Sequence, residues 1–149
     1  MDERTIAEIA AWVTFAVNGL AGAFAGRRWW HVRPSDAAWP LLRAGQLVAI
    51  AQALVAGALF ATGYSPSDGL YWLYALLPVA IGLIAEQLRI AAAEQVLENR
   101  GLPDAQAVGG LPEPEQRSVV LAIVRREVGV ITLAAGVVAL LALRAALIV

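Results

Sequence analysis

Four long apolar segments constrain this chain more than any other feature of its sequence. They run from about Ile6 to Gly26, Leu41 to Ala61, Leu70 to Arg89 and Val128 to Val149. A helix rises about 1.5 Å per residue, so it needs roughly 20 residues to cross a hydrocarbon core about 30 Å thick. Since 60% of the 149 residues are apolar and 15% are charged, the composition is also that of a membrane protein. We therefore expect an all-α, polytopic protein whose four transmembrane helices form one domain, an antiparallel bundle.

The distribution of basic residues predicts the orientation of the chain. All eleven basic residues are Arg, and most of them follow the first and third spans. The short link of residues 62–69 contains none, and Arg4 is the single basic residue that argues the other way. Basic residues accumulate on the cytoplasmic side of a membrane. The pattern predicts a multi-pass protein of the cell inner membrane, with both termini and the short link outside the cytoplasm.

The first inner link, residues 27–40, contains the sequence "RRWWHVR". Arg mixed with Trp can bind nucleic acid, but Arg beside a span is an ordinary topology signal, and Trp collects at the headgroup level. We interpret this link as an interfacial anchor and expect the lipid bilayer, not nucleic acid, to be its partner. His31 has no second metal ligand beside it in the sequence.

Local sequence signals predict that the third and fourth helices extend beyond the membrane. Gly101 and the proline at position 103 form a helix stop, so the third helix can continue to Arg100. Pro114 suits the first turn of the fourth helix. Residues 90–127 are thus predicted to form a cytoplasmic helical hairpin, with at most a short helical turn at 104–108. We also expect Thr5 to begin a capping box for the first helix and Ser67 to cap the third.

Charged residues at the end of the third span are the best candidates for a functional site. Glu86 and Arg89 are three residues apart, so they share a helical face, and basic and acidic residues of other helices reach a similar depth. The predicted polar pocket consists of Glu86, Arg89, Arg43, Gln46, Thr132 and Glu127. One interpretation is an interfacial ion-pair belt that anchors the helices. The other is an inner vestibule for ions or protons, because acids within membranes often mark such paths.

Two kinds of residue inside the spans predict how the helices pack. Asn18 and Gln52 are polar and lie near the middle of their helices, where interhelical hydrogen bonding is their common use. Small residues recur at four-residue intervals and let backbones approach closely. The predicted packing positions are Gly22, Gly26, Gly45, Ala49, Ala53 and Gly57. Packing within the chain is the first expectation, and self-association is the second.

Catalytic chemistry has little support in the sequence. The chain has no Cys and one His, so we expect no metal site and no cofactor. The acids Glu113 and Glu115 stand at a predicted helix start, where the helix dipole favours them. The leading hypothesis is a non-catalytic assembly or accessory subunit, acting as a homo-oligomer or within a larger membrane complex. The alternative is an oligomeric transporter or channel with a cytoplasmic-side pocket around Glu86, and a lipid-modifying enzyme comes third.

Overall fold

The computed structural model describes residues 2–31 and 37–149, and this part of the chain is all-helical. Four helices are long and apolar enough to cross a membrane, as expected of a multi-pass membrane protein. Arg33, one of the predicted topology residues, lies outside the described residues. The helices are α1 (Glu3–Trp30), α2 (Ala38–Ala61), α3 (Leu70–Asn99), the short α4 (Ala105–Val108) and α5 (Glu113–Ile148).

Helices α3 and α5 are longer than their apolar segments. Helix α3 continues ten residues beyond Arg89 and ends at Asn99, close to the end predicted from the sequence. Gly101 follows with a φ of 67°, the left-handed conformation that glycine adopts at helix ends. Helix α5 begins at Glu113, well before the apolar segment that starts at Val128. Both helices therefore carry a polar extension beyond their apolar segments.

The predicted caps of α1 and α3 were wrong. Helix α1 begins earlier than expected, so Thr5 lies inside its first turn, and the carboxylate of Asp2 accepts a hydrogen bond from the Thr5 amide at 2.9 Å. The hydroxyl of Ser67 donates instead to the carbonyl of Ile148 at 2.9 Å. The Leu70 amide, at the start of α3, donates to the Asp68 carboxylate at 2.8 Å. Tertiary contact decided the role of Ser67, and sequence pattern alone could not show it.

The N-terminal end of α1, the link 62–69 and the C-terminal end of α5 lie together. The hydroxyl of Thr62 donates to the Glu3 carboxylate at 2.9 Å, while Ser67 contacts the carbonyls of Ile148 and Val149. These contacts place the two ends of the described chain beside the short link.

The interior is built mainly from alanine. Small side chains let helices approach closely where there is no water to drive association. The most extensive contacts join α1 to α5 and α3 to α5, whereas α2 and α3 touch less. One core cluster surrounds the buried Tyr71, and a second contains Ala21, Ala25, Ala38, Leu42, Ile131 and Ala135.

Candidate functional site

Glu86 lies at the centre of a polar cluster between α2 and α3. Its Oε1 accepts hydrogen bonds from Arg43 Nη1 at 2.6 Å and from Gln46 Nε2 at 2.9 Å. Arg43 Nη1 also lies 2.6 Å from Gln46 Oε1. Arg43 and Gln46 are three residues apart, so one turn of α2 presents both side chains to the carboxylate.

Arg89 extends the cluster to α5. Its Nε donates to Glu86 Oε2 at 3.1 Å, and its Nη1 donates to Glu127 Oε1 at 3.1 Å. The guanidinium also lies 5.8 Å from the ring centre of Trp39, in the first turns of α2, within cation–π range. Two Arg and two Glu side chains thus join three helices with no net formal charge.

Members of the cluster differ in how far they are exposed. The side chain of Arg43 is 48% exposed, whereas those of Glu86 and Arg89 are 26% and 25% exposed. Glu127 is the most buried, at 16%. Arg43 is therefore the charged group that remains most accessible from outside the cluster.

Thr132 lies apart from the other five residues of the predicted pocket. Its γ2 methyl is 3.2 Å from the position that a Cβ would take at Gly26, so the side chain packs against α1. Its hydroxyl is buried and finds no hydrogen-bond partner in the described part of the chain. The structure thus brings Arg43, Gln46 and Arg89 into direct contact with Glu86, and it joins Glu127 to the cluster through Arg89.

An apolar cleft extends from the polar cluster along α2 and α3. Its volume is about 220 Å³. Arg43, Gln46 and Glu86 stand at one end, and the remaining lining residues are Asn18, Leu42, Ala49, Ile50, Pro78, Val79, Gly82, Leu83, Ile131, Ala134, Ala135 and Val138. Sequence reasoning missed the cleft residues of α3. The available signal was a proline and a glycine, Pro78 and Gly82, one turn apart on the face that carries Glu86.

Asn18 lines the cleft and also joins α1 to α2. Its Nδ2 donates to the carbonyls of Thr14 at 3.1 Å and Gly45 at 3.0 Å. A Cβ at Gly45 would lie 2.6 Å from Asn18 Oδ1, so only glycine allows this contact as it stands. Gln52 behaves differently, because it is 2% exposed and its amide has no hydrogen-bond partner among the described residues.

The row of small residues on α2 is buried at one end only. Gly45 and Ala49 are buried and Ala53 is half-buried, whereas Gly57 is exposed with no heavy atom within 4 Å of its Cβ position. Four residues exceed one helical turn of 3.6 by about 40°, so a row at this interval rotates out of the interface. Gly22 and Gly26 of α1, in contrast, both face α5.

A second concave surface lies on the extensions of α3 and α5. The extensions contact each other, since Arg126 on α5 donates to Gln95 on α3 at 3.1 Å, and each extension has a buried valine, Val96 on α3 and Val119 on α5. Beside them lies a groove of about 570 Å³. We call it the acidic groove, and its lining residues are Ile90, Ala93, Glu94, Leu97, Glu98, Leu102, Pro103, Asp104, Ala105 and Glu127.

The groove is lined by both apolar and acidic residues. Ile90 is 47% exposed, and Ile90 and Leu97 both line the groove. Glu94 and Glu98 are exposed, stand one turn apart, and form no ion pair with any described residue. The four-residue spacing of these acids was the sequence signal for this surface.

The chemistry available at these two surfaces is binding by hydrogen bonds, charge and apolar contact. Within residues 2–31 and 37–149, no group of three or more His, Asp or Glu side chains is placed to hold a metal ion. Compared with known protein families, with curated proteins and with solved structures, the chain matches none of them.

Proposed function

We propose that this protein is a small non-catalytic integral membrane protein that acts as an assembly or accessory subunit and holds its partner in the acidic groove. The observation that carries the proposal is the groove itself, a concave surface of about 570 Å³ on the polar extensions. Grooves lined by apolar residues are surfaces into which amphipathic helices of partner proteins bind.

The proposed architecture is an antiparallel bundle from which α3 and α5 project as a hairpin. Two sets of contacts support it. Near the end of α3, Arg100 donates to Ser118 at 3.2 Å, close to the start of α5. Before the start of α3, Ser67 bonds to Ile148 at the end of α5. Contacts between opposite ends are what two antiparallel helices make.

The proposed orientation places the hairpin in the cytoplasm and both termini outside it, in the cell inner membrane. Arg27 and Arg28 lie in the last turn of α1, at the end remote from the link 62–69. The Arg-free link contacts both chain ends. The arginine distribution and these contacts favour the same orientation. A reporter enzyme that works only outside the cytoplasm should therefore be active when it is fused after Val149. A reporter that works only inside the cytoplasm should be inactive at the same position.

The partner that fits the acidic groove is a basic amphipathic helix of another membrane protein or of a second copy of this chain. Glu94 and Glu98 lie one turn apart and are open to solvent, so Lys or Arg at the same interval can pair with both. The apolar residues between them provide the area that such a helix buries along its other face.

The test uses the full-length protein at native abundance in lipid nanodiscs. A photo-reactive residue in place of Ala93 should cross-link to a peptide with Lys or Arg three or four residues apart. Glu94→Gln with Glu98→Gln should lower the cross-linked yield at least tenfold. The matched control is Glu113→Gln with Glu115→Gln, which removes the same charge outside the groove and should leave the yield unchanged. Equal loss in both variants, or a cross-linked peptide without basic residues, would refute the proposal.

A second candidate function, an oligomeric transporter or channel with its inner pocket at Glu86, is favoured by one observation. The amide of Gln52 is buried in the middle of α2 without a described partner, and such a group in hydrocarbon costs several kcal/mol unless water reaches it. Since the chain has no Cys, single Cys substitutions at Asn18 and Gln52 report on water access directly. Labelling of both by a membrane-impermeant thiol reagent supports this candidate, and labelling of neither excludes a water-filled path.

A further inference from the structure

The cleft between α2 and α3 has the dimensions of one hydrocarbon chain. Its lining residues on α3 extend from Pro78 to Glu86, and those on α2 extend from Leu42 to Ile50. Eight residues correspond to about 12 Å along each helix. Spread over that length, the volume of 220 Å³ gives a mean cross-section of about 18 Å².

These dimensions decide between possible occupants. An α-helix with its side chains is about 10–12 Å across, so the helix of a partner protein is far too wide for this cleft. One extended acyl chain fits both the length and the width.

The walls and the mouth of the cleft indicate that the occupant comes from the bilayer. Below the polar end, the walls are apolar except for Asn18, and cavities of this kind do not hold water well. Leu83 and Ile50 are 66% and 45% exposed at the rim, within helices long and apolar enough to span the membrane. The cleft therefore opens toward lipid tails, and a tail that enters it regains dispersion contacts with both helices.

The polar end of the cleft supplies the recognition of a headgroup. Arg43 is half exposed, and its Nε–H has no hydrogen-bond partner in the described residues. Gln46 and Glu86 hold the other side of its guanidinium. Guanidinium groups bind phosphate through charge-assisted hydrogen bonds. We propose that the cleft binds one acyl chain of a membrane phospholipid, with the lipid phosphate against Arg43. This site is independent of the acidic groove.

The test measures lipid retention by the full chain. Protein purified from nanodiscs of phosphatidylethanolamine and phosphatidylglycerol is transferred to detergent, and bound lipids are counted by native mass spectrometry. The wild-type protein should retain one phospholipid. Gly82→Leu should reduce that retention at least fivefold, because Gly82 lines the cleft and its Cβ position has open space around it. Val79→Phe, a second substitution in the lining, should do the same.

Two controls distinguish a specific site from the general lipid shell. Gly57→Leu adds the same side chain to α2 at an exposed position outside the cleft and should retain the lipid as wild type does. Arg43→Gln should retain at least fivefold less phospholipid, while its binding of an added uncharged lipid, diacylglycerol, should stay unchanged. Equal retention in Gly82→Leu and Gly57→Leu would overturn the proposal. Equal phospholipid retention in wild type and Arg43→Gln would overturn the phosphate contact.

Discussion

The contact of α1 with α5 and the contact of α2 with α3 show two different uses of small residues. Between α1 and α5, Gly22 lets the backbones meet, since its Cβ position is 3.4 Å from the Gly136 amide nitrogen. Between α2 and α3, Gly82 has no heavy atom within 4 Å of its Cβ position and lines a cleft. The first interface holds the helices together, whereas the second leaves space that side chains do not fill. Glycine in a membrane helix therefore does not by itself indicate tight packing.

Polar groups also differ between close and open contacts. Where α1 and α2 approach closely, Asn18 of α1 donates to the backbone carbonyl of Gly45 on α2. Where α2 and α3 separate, the longer charged side chains of Arg43 and Glu86 join the helices at the end of the cleft. Substitutions where α1 packs closely against its neighbours should therefore affect stability. Substitutions in the open contact between α2 and α3 should affect binding more than folding.

The largest effect is expected for Gly22→Leu, which should break the close interface. The nearest atoms to a side chain at this position include the backbone of α5, which cannot move without separating the helices. Overpacking of this kind costs about 3 kcal/mol or more of unfolding free energy. Unfolding by SDS in mixed micelles measures it. Gly57→Leu, at an exposed glycine, should stay within about 0.5 kcal/mol of wild type. Similar losses in the two variants would show that the α1–α5 contact is not the tighter one.

A smaller loss, about 2 kcal/mol, is expected for Gly45→Ala, because its Cβ would lie 2.6 Å from Asn18 Oδ1. The cause can be isolated with Asn18→Ala, which removes the obstructing amide. In a double-mutant cycle, the two substitutions together should cost about 1 to 2 kcal/mol less than the sum of the single costs. Strict additivity would mean that Gly45 is not held by its contact with Asn18.

The polar cluster should contribute less to stability than the close interface. Glu86→Gln leaves Arg43 and Arg89 without their shared carboxylate, and we expect a loss of about 1 to 2 kcal/mol, between the values for exposed and buried ion pairs. Glu113→Gln is the matched control, because Glu113 and its partner Arg117 are 82% and 73% exposed. This substitution should change the free energy of unfolding by less than about 0.5 kcal/mol. The same SDS titration compares the two. A Glu86→Gln effect as small as the control would leave the cluster no structural role.

The smallest effect is expected at the start of α1, outside both interfaces. The hydrogen bond from Thr5 holds the pKa of the exposed Asp2 carboxyl below its usual value. The cap is therefore at full strength above the usual pKa of a carboxyl group and is lost as the pH falls through the lowered pKa of Asp2. The Thr5 amide shift in NMR should titrate with Asp2. Asp2→Ala should abolish that titration and fray the first turn without changing global unfolding. Titration at or above the usual pKa would contradict the cap.

The sequence by itself determined the membrane class, the four apolar helices and their polar extensions. These properties depend on residues close together in the chain: apolar runs of sufficient length, the stop at Gly101 and the short helix capped by Asp104. It also identified Glu86, Arg89 and Arg43 as charges at similar depth, because depth is counted along a helix. The helical repeat gives the face on which a residue lies, and the rise per residue gives its depth, so neither requires knowledge of a tertiary contact.

Only the tertiary structure decided which helices meet closely and which leave a cleft. Gly22, Gly57 and Gly82 look alike in the sequence, yet one packs against backbone, one is exposed and one lines open space. Thr132 has the right depth for the polar pocket but faces α1, because the rotation of α5 about its axis depends on packing with every neighbour. Helix rotation and spacing arise from the sum of side-chain contacts between helices, and no local pattern specifies that sum.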